Sequence, residues 1–241
     1  MSHYKYHICC HTRDFAYINE FIEHHLNLGF DKIVIYDNMS EIPVTYNHDK
    51  VEIIKWDKQI VNFNTYNDYL SRYNQEGIWT AFIDEDEFIN TNGVKIQEVM
   101  VRFHRYDSLG LNWRMFGDQI DEDNTGTTLI EKYRYYAPVT SGVSKHIKTF
   151  CKNVLVKHFS NPHHPTFKIR KVNRSVKGQI IANAFCEPSH EIIWIDHYHL
   201  RGYDDYIKRQ TRWIHLIGEK PLDAVIESYH LHRSICTEKL P

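Results

Sequence analysis

The segment from Trp79 to Ile89 reads WTAFIDEDEFI, an apolar run that ends in four acidic residues before an apolar pair resumes. Trp79, Ala81, Phe82 and Ile83 read as a buried strand. Asp84 and Asp86 are two positions apart, so in extended backbone their carboxylates share one side, and Glu85 and Glu87 take the other. Two hard oxygen ligands at a strand end suit a divalent cation that keeps positions open for phosphate oxygens. A DxD alone arises by chance in many acidic loops. Here Phe82, Ile83, Phe88 and Ile89 would hold it on rigid backbone. The glycine and spaced ligands of an EF-hand loop are missing. The chemistry implied is that of an enzyme acting on a nucleotide-activated substrate.

Other constellations accompany it. His197-x-His199 ends an apolar strand, so both imidazoles could face one side, as ligands or as hydrogen-bonded core histidines. Asn161 to Pro165 (NPHHP) reads as a rigid turn. Lys145, Lys148 and Lys152 recur in a strand-like segment with Arg170 and Lys171 nearby, and one of them could neutralise a diphosphate. For Arg201, Lys208, Arg209 and Arg212 a solvated helix face is the default. Trp113 to Asp118 (WRMFGD) carries aromatic residues into an acidic loop, as an acceptor platform or as core. There is no GxGxxG, P-loop or GxSxG, so dinucleotide redox chemistry, P-loop phosphoryl transfer and the α/β-hydrolase mechanism lack support.

The elements that must position these residues alternate between strand and helix. Strands are expected at Tyr6–Cys10, Lys32–Tyr36, Val51–Trp56 and Trp79–Ile83. A helix capped by Asp14 and stopped at Gly29 lies between the first two, and Phe63–Tyr73 forms another. This order implies βαβ units and a mostly parallel sheet, with ligands beyond the carboxyl ends of the strands, where Asp37 and Asp84 fall. The second half is less regular. A helix is expected over Val94–His104 and strands over Ser108–Phe116, Thr128–Tyr135, Ile147–Val156, Gln179–Phe185 and Ile192–Ile195. Helices at Tyr203–Ile217 and from Pro221 close the chain. No repeat or linker interrupts it, so one α/β domain over residues 1–241 is expected.

The 241 residues are 42% hydrophobic and 14% aromatic, ample for a core. A net charge of −2 argues against a general nucleic-acid or membrane-surface binder. Five cysteines with no CxxC suggest neither a disulfide framework nor a zinc site, and favour a reducing compartment. The N-terminus carries no signal-peptide pattern, and no apolar run approaches the ~20 residues of a bilayer span. A cytoplasmic location follows, with room for peripheral docking at a membrane.

Taken in order, the segments RDFAYINEFIEHHLNLGFDKIVIYDNMS, WTAFIDEDEF, GLNWRMFG, HIKTF, NPHH and DHYHLRGYDDYIKR resemble the GT-A-type glycosyltransferases of family two, particularly the group around family ninety-two. The resemblance covers roughly residues 6 to 212. Arg13-Asp14 stands where that group usually has asparagine-glutamate, and Asp118 where a small residue is common. The resemblance implies a Rossmann-like GT-A domain, with a nucleotide-binding half (1–90) and an acceptor half with C-terminal helices (91–241).

It also implies a transferase using a nucleotide-sugar, with a UDP-sugar as the expected donor, and Mn2+ or Mg2+. Carried over by position, Asp37 would contact the base, with Thr12, Arg13, Asn67 and Asp68 lining the same pocket. Asp84 would face the ribose or a metal-bound water, Asp86 would coordinate the metal, and His197 would complete its site. Lys148 would approach the diphosphate, and His163 matches a histidine of unassigned role. An inverting displacement onto a glycan, glycoprotein or lipid-linked acceptor needs one base. Asp118 is the first candidate, followed by Asp121 and Glu131. A nucleotidyltransferase or phosphohydrolase using the same cation site, and a non-catalytic sugar-binding module, stay open as alternatives.

Overall fold

A computed structural model of the chain describes residues 4–58, 62–168, 170–217 and 221–240. In chain order the elements are β1 (Lys5–Thr12), α1 (Ile18–Leu28), β2 (Lys32–Asp37), β3 (Val51–Lys55), α2 (Asn62–Tyr73), β4 (Ile78–Asp84), β5 (Glu87–Asn90), α3 (Ile96–Met100), β6 (Ser108–Met115) and α4 (Leu129–Lys132). Then come β7 (Tyr135–Tyr136), β8 (Ile147–Lys152), β9 (Val156–Phe159), β10 (Pro165–Phe167), β11 (Asn173–Ser175), β12 (Ile180–Ile181), β13 (Trp194–His197), α5 (Tyr203–Ile217), α6 (Leu222–Ser234) and β14 (Glu238–Lys239).

A ten-stranded sheet runs β12-β11-β6-β8-β4-β1-β2-β3, with β13 joining β5 to β6. Strands β3, β2, β1 and β4 are parallel. The mixed α/β fold with a large, mostly parallel central sheet therefore matches expectation. The strands are apolar on both faces because helices cover both. Ile8, Cys10, Ile33, Ile35, Ala81 and Ile83 face one core with Phe21 and Ile22 of α1. Cys9, Val34, Tyr36 and Phe82 face the other with Tyr66, Tyr69 and Leu70 of α2. This period-2 split fixes which residues leave the strands toward which layer.

Several local expectations fail for identifiable reasons. Asp14 does not cap α1: it has a φ of 54°, and the helix begins only at Ile18. Its carboxylate instead accepts from the Glu41 amide and from Arg212. Residues 128–135 do not form one strand. Thr128 and Glu131 build a reciprocal capping box that starts α4, and this local pairing outweighs the β-branched composition. The helix expected over Val94–His104 shortens to α3 and a 3-10 turn. Ile147–Val156 breaks at a turn over Asn153–Leu155, and within Gln179–Phe185 the ladder is confined to Ile180–Ile181, with a single bridge from Phe185 to His146. Gly29 ends α1 with a φ of 95°, as expected of a C′ glycine.

Candidate active site

The carboxyl ends of the parallel strands converge on the acidic turn. His11 pairs with Asp84, and Thr12 pairs with Asp37, at the same edge of the sheet. Strand β4 stops at Asp84, residues 85 and 86 turn, and β5 pairs with β13 rather than with the neighbours of β4. The strand alternation therefore does not carry through to Asp86. The two aspartates point to different partners.

Asp84 reaches down. Its Oδ2 accepts from Lys148 Nζ at 2.7 Å and its Oδ1 from the Tyr66 hydroxyl at 3.2 Å. Lys148 is fully buried and also lies 3.5 Å from Glu87, whose side chain is buried too. Glu87 Oε2 accepts the Asp84 amide at 2.8 Å. Burial opposes charge at Asp84, but the Lys148 ammonium holds its carboxyl below the usual range. Burial pushes Glu87 well above its usual range, with Asp84 adding to the push and Lys148 opposing it. The triad is thus an ion pair beside a second acid whose ionisation burial opposes. A lysine so enclosed sets the turn's position from beneath.

Asp86 reaches toward the C-terminal elements. Antiparallel pairing of β5 with β13 brings Glu87 opposite His197, and the Tyr198 amide donates to the Asp86 carbonyl at 2.8 Å. His197 Nε2 stands 3.5 Å from Asp86 Oδ1. On Oδ2, Arg201 donates at 2.6 Å and Arg209 lies at 3.5 Å. Burial works against ionisation, yet His197 and the two arginines hold the Asp86 carboxyl well below its usual range. Burial, with the charges of His197 and Arg209, pushes His199 well down, so it is a neutral imidazole.

Asp86, His197 and His199 offer ligand atoms that all lie within 4.8 Å of one another. Among the described residues, His197 Nδ1 is buried without a hydrogen-bond partner. One carboxylate and two imidazoles fit a borderline divalent ion such as Mn2+ better than Mg2+, which prefers oxygen alone. Asp84 is not in this cluster, so His199 stands where Asp84 was expected in the ligand set.

The nucleotide-side residues are placed as follows. Thr12 is fully buried at the end of β1. The Arg13 amide donates to Glu85 Oε2 at 2.7 Å. Burial pushes the Glu85 carboxyl up to about 7, with Arg201 opposing. Asp37 accepts the Ser40 and Val44 amides at 3.2 and 2.9 Å, folding the loop after β2 over the sheet edge. Asn67 clasps Phe159 through both its backbone groups, and Asp68 accepts from Tyr36 and Arg72. These last two are engaged in holding α2. Trp113 stands 4.3 Å from His197 and 5.5 Å from His163 between ring centroids, and stacks on His146.

The three acids expected to supply a base separate. Asp118 accepts from the Tyr229 hydroxyl and, at 3.1 Å, from Arg233, both on α6. Asp121 accepts from Tyr135 and Lys239, each at 2.8 Å. Glu131 is the return arm of its own capping box. Asp121 and Glu131 line a cleft of about 840 Å3 with Arg134 and Leu240, and no member of the Asp86 cluster lines it.

Sequence reading missed Arg201 and Arg209, which were assigned to a solvated helix face. Arg201 is 4% exposed at its side chain. Their i, i+4 relation to Asp205 could have been noticed, but their burial against Asp86 depends on long-range pairing. Glu85 and Glu87, placed on the other side of the strand by alternation, are part of the turn's electrostatics.

No protein-family model and no curated protein matches the chain. Among solved structures it is similar to S. aureus TarS 1-349, at a TM-score of 0.43 and 15% identity, covering 63% of this chain and 48% of that one. The corresponding values for TarS in complex with UDP are 0.41, 14%, 63% and 47%, and with UDP-GlcNAc 0.37, 16%, 50% and 37%. The chain thus spans about half the length of the first two or less. A likeness of this size carries no functional weight. Among the described residues, no helix is long and apolar enough to cross a membrane.

Proposed function

We propose that the chain is a metal-assisted glycosyltransferase of the GT-A family two and family ninety-two type. It moves a sugar from a nucleotide-sugar, with UDP-sugars as the first donors to test, to a glycan or glycoconjugate hydroxyl with inversion. The observation that carries this reading is the Asp86–His197–His199 cluster, set beyond the carboxyl ends of parallel strands and beside the Asp84–Lys148 pair. Ligands bind at this edge of open α/β sheets. A divalent cation held there would offset the charge that develops on a departing diphosphate.

The residues divide the work by position. Asp86, His197 and His199 hold the cation. Lys148 and Glu87 fix Asp84 and with it the turn. Asp37, Thr12 and Arg13 line the edge that would receive the nucleoside. Trp113, beside His197, supplies an apolar wall for the sugar. In the reaction the acceptor oxygen bonds to the anomeric carbon, and the bond from that carbon to the diphosphate oxygen breaks. The acceptor proton passes to a carboxylate. Asp118 is the best placed of the three candidates, because the Phe116 amide, two residues before it, donates to the His197 carbonyl at 2.8 Å.

Incubation with UDP- and GDP-sugars and Mn2+, followed by nucleotide release, tests the reading. Turnover that vanishes in Asp86→Ala supports it. Release of pyrophosphate or inorganic phosphate without sugar transfer would move the protein to nucleotidyl transfer or phosphohydrolysis.

A further inference from the structure

The glycosyl-transfer reading leaves one feature unexplained: two guanidiniums already hold the carboxylate that should hold a cation. Arg201 donates to Asp86 Oδ2 at 2.6 Å and to the Tyr198 carbonyl at 3.0 Å, and lies 3.2 Å from Asp205. It packs over the Phe15 ring at 4.8 Å and has almost no exposed surface. Arg209 differs. It is 20% exposed, and its Nη1 is 3.5 Å from Asp86 Oδ2, a weak contact. Its better bonds go to Asp205 at 2.9 Å and to the His199 carbonyl.

A divalent cation among Asp86, His197 and His199 would share one carboxylate with two fixed positive charges. At these separations in a buried site, like charges repel strongly. Arg201 is locked by its other partners. Arg209 holds Asp86 loosely, lies nearer to solvent, and carries a planar fork that matches phosphate oxygens. A diphosphate arriving beside the cation would give Arg209 a better anion than the one it shares.

We infer that Arg209 is handed from Asp86 to the donor's diphosphate, so that cation and nucleotide diphosphate bind as a coupled pair. The inference rests on the nucleotide-sugar reading above. It names the residue that links the two ligands and requires each to be weak alone.

Calorimetric titration of the full chain with Mn2+, with and without UDP, reads the coupling directly. In the wild type, UDP should tighten Mn2+ binding by about tenfold or more, and Mn2+ should tighten UDP by the same factor, because coupling is reciprocal. In Arg209→Gln, Mn2+ alone should bind more tightly than to the wild type, and the gain from UDP should shrink to about twofold or less. Arg209→Lys keeps the charge and should keep the weak binding of Mn2+ alone. Independent binding in the wild type, or unchanged Mn2+ affinity and coupling in Arg209→Gln, overturns the hand-over even where Mn2+-dependent turnover is intact. Absence of Mn2+ binding in both conditions also overturns it. A parallel assay for nucleotide release then decides whether the glycosyl-transfer reading falls as well.

Discussion

Arg201 and Asp86 form a buried ion pair, with Nη1 2.6 Å from Oδ2 and side-chain exposures of 4% and 7%. The pair joins the acidic turn after β4 to the segment after β13, so it ties the two halves of the sheet together at the candidate site. Removing one member of such a pair costs more than the pair contributes, because the survivor stays buried and charged. Asp86→Ala should therefore destabilise the protein by about 3 kcal/mol as well as abolish Mn2+ binding. Asp86→Leu combined with Arg201→Met should regain most of that stability without restoring the metal. Urea denaturation of the three proteins measures this. Equal stability of Asp86→Ala and the wild type would mean that Arg201 finds other partners.

Lys148 is the counter-ion beneath the turn. With it gone, Asp84 and Glu87 face each other in a buried site, and both are driven to protonate. Lys148→Met should cost on the order of 3–5 kcal/mol, and adding Glu87→Gln should recover part of this by removing one acid. A chevron or equilibrium series on the single and double variants gives the coupling. Additive losses would show that Lys148 and Glu87 act independently.

The acidic turn was legible because its residue types announce themselves, and the parallel strands β1, β2 and β4 because their apolar runs are long and bounded. What the sequence could not show was direction. Period-2 alternation predicts Asp84 and Asp86 on one side only while the strand continues, and β4 ends at Asp84. His197 was legible as a strand-end histidine, but its meeting with Asp86 needs the β5–β13 ladder, a contact between distant segments. Arg201 and Arg209 look like solvated residues of a helix and its approach, because polar residues near α5 carry no mark of what packs over them. Glu131 shows the reverse: its capping partner Thr128 lies three positions away, so its structural role was within reach of sequence reading.

Stability should fall with acid because several histidines are buried as neutral rings. Burial, with Lys32 and Lys5 adding and Asp31 opposing, lowers His7 from 6.5 to about 4. His11 and His163 are lowered to about 4 by burial and nearby cations. The unfolded chain takes up these protons near pH 6.5 and the native state only near pH 4, so the unfolded state is the more protonated between them. The stabilising contribution is complete above pH 6.5 and is lost as pH falls toward 4. For His7 alone it is on the order of 3 kcal/mol. His7→Phe keeps the ring contacts with Tyr69 and Tyr73 and should flatten the acid limb of a stability–pH profile by that amount. An unchanged profile would exclude His7 as a contributor.

The acceptor-side base can be separated from its rivals by asking which carboxylate has a structural occupation that survives its replacement. Glu131 receives the Thr128 and Thr127 amides at 3.2 and 3.3 Å, and Asp121 is shared between Tyr135 and Lys239. Glu131→Gln and Asp121→Asn keep the oxygen that accepts these bonds, so both variants should turn over donor at wild-type rates with small changes in melting temperature. Asp118 also has partners, Tyr229 on Oδ2 and Arg233 on Oδ1, and an amide can still accept from Arg233 while its NH2 donates to the Tyr229 hydroxyl oxygen. It cannot take up a proton from the acceptor hydroxyl. Asp118→Asn should thus fold normally, bind UDP and Mn2+ as the wild type does, and lose roughly 10²–10⁴ in turnover, the range general-base catalysis supplies. Single-turnover rates with saturating donor isolate that step from binding. Full activity in Asp118→Asn would move the base elsewhere, and Glu85, whose buried carboxyl is pushed up to about 7, would be the next residue to replace.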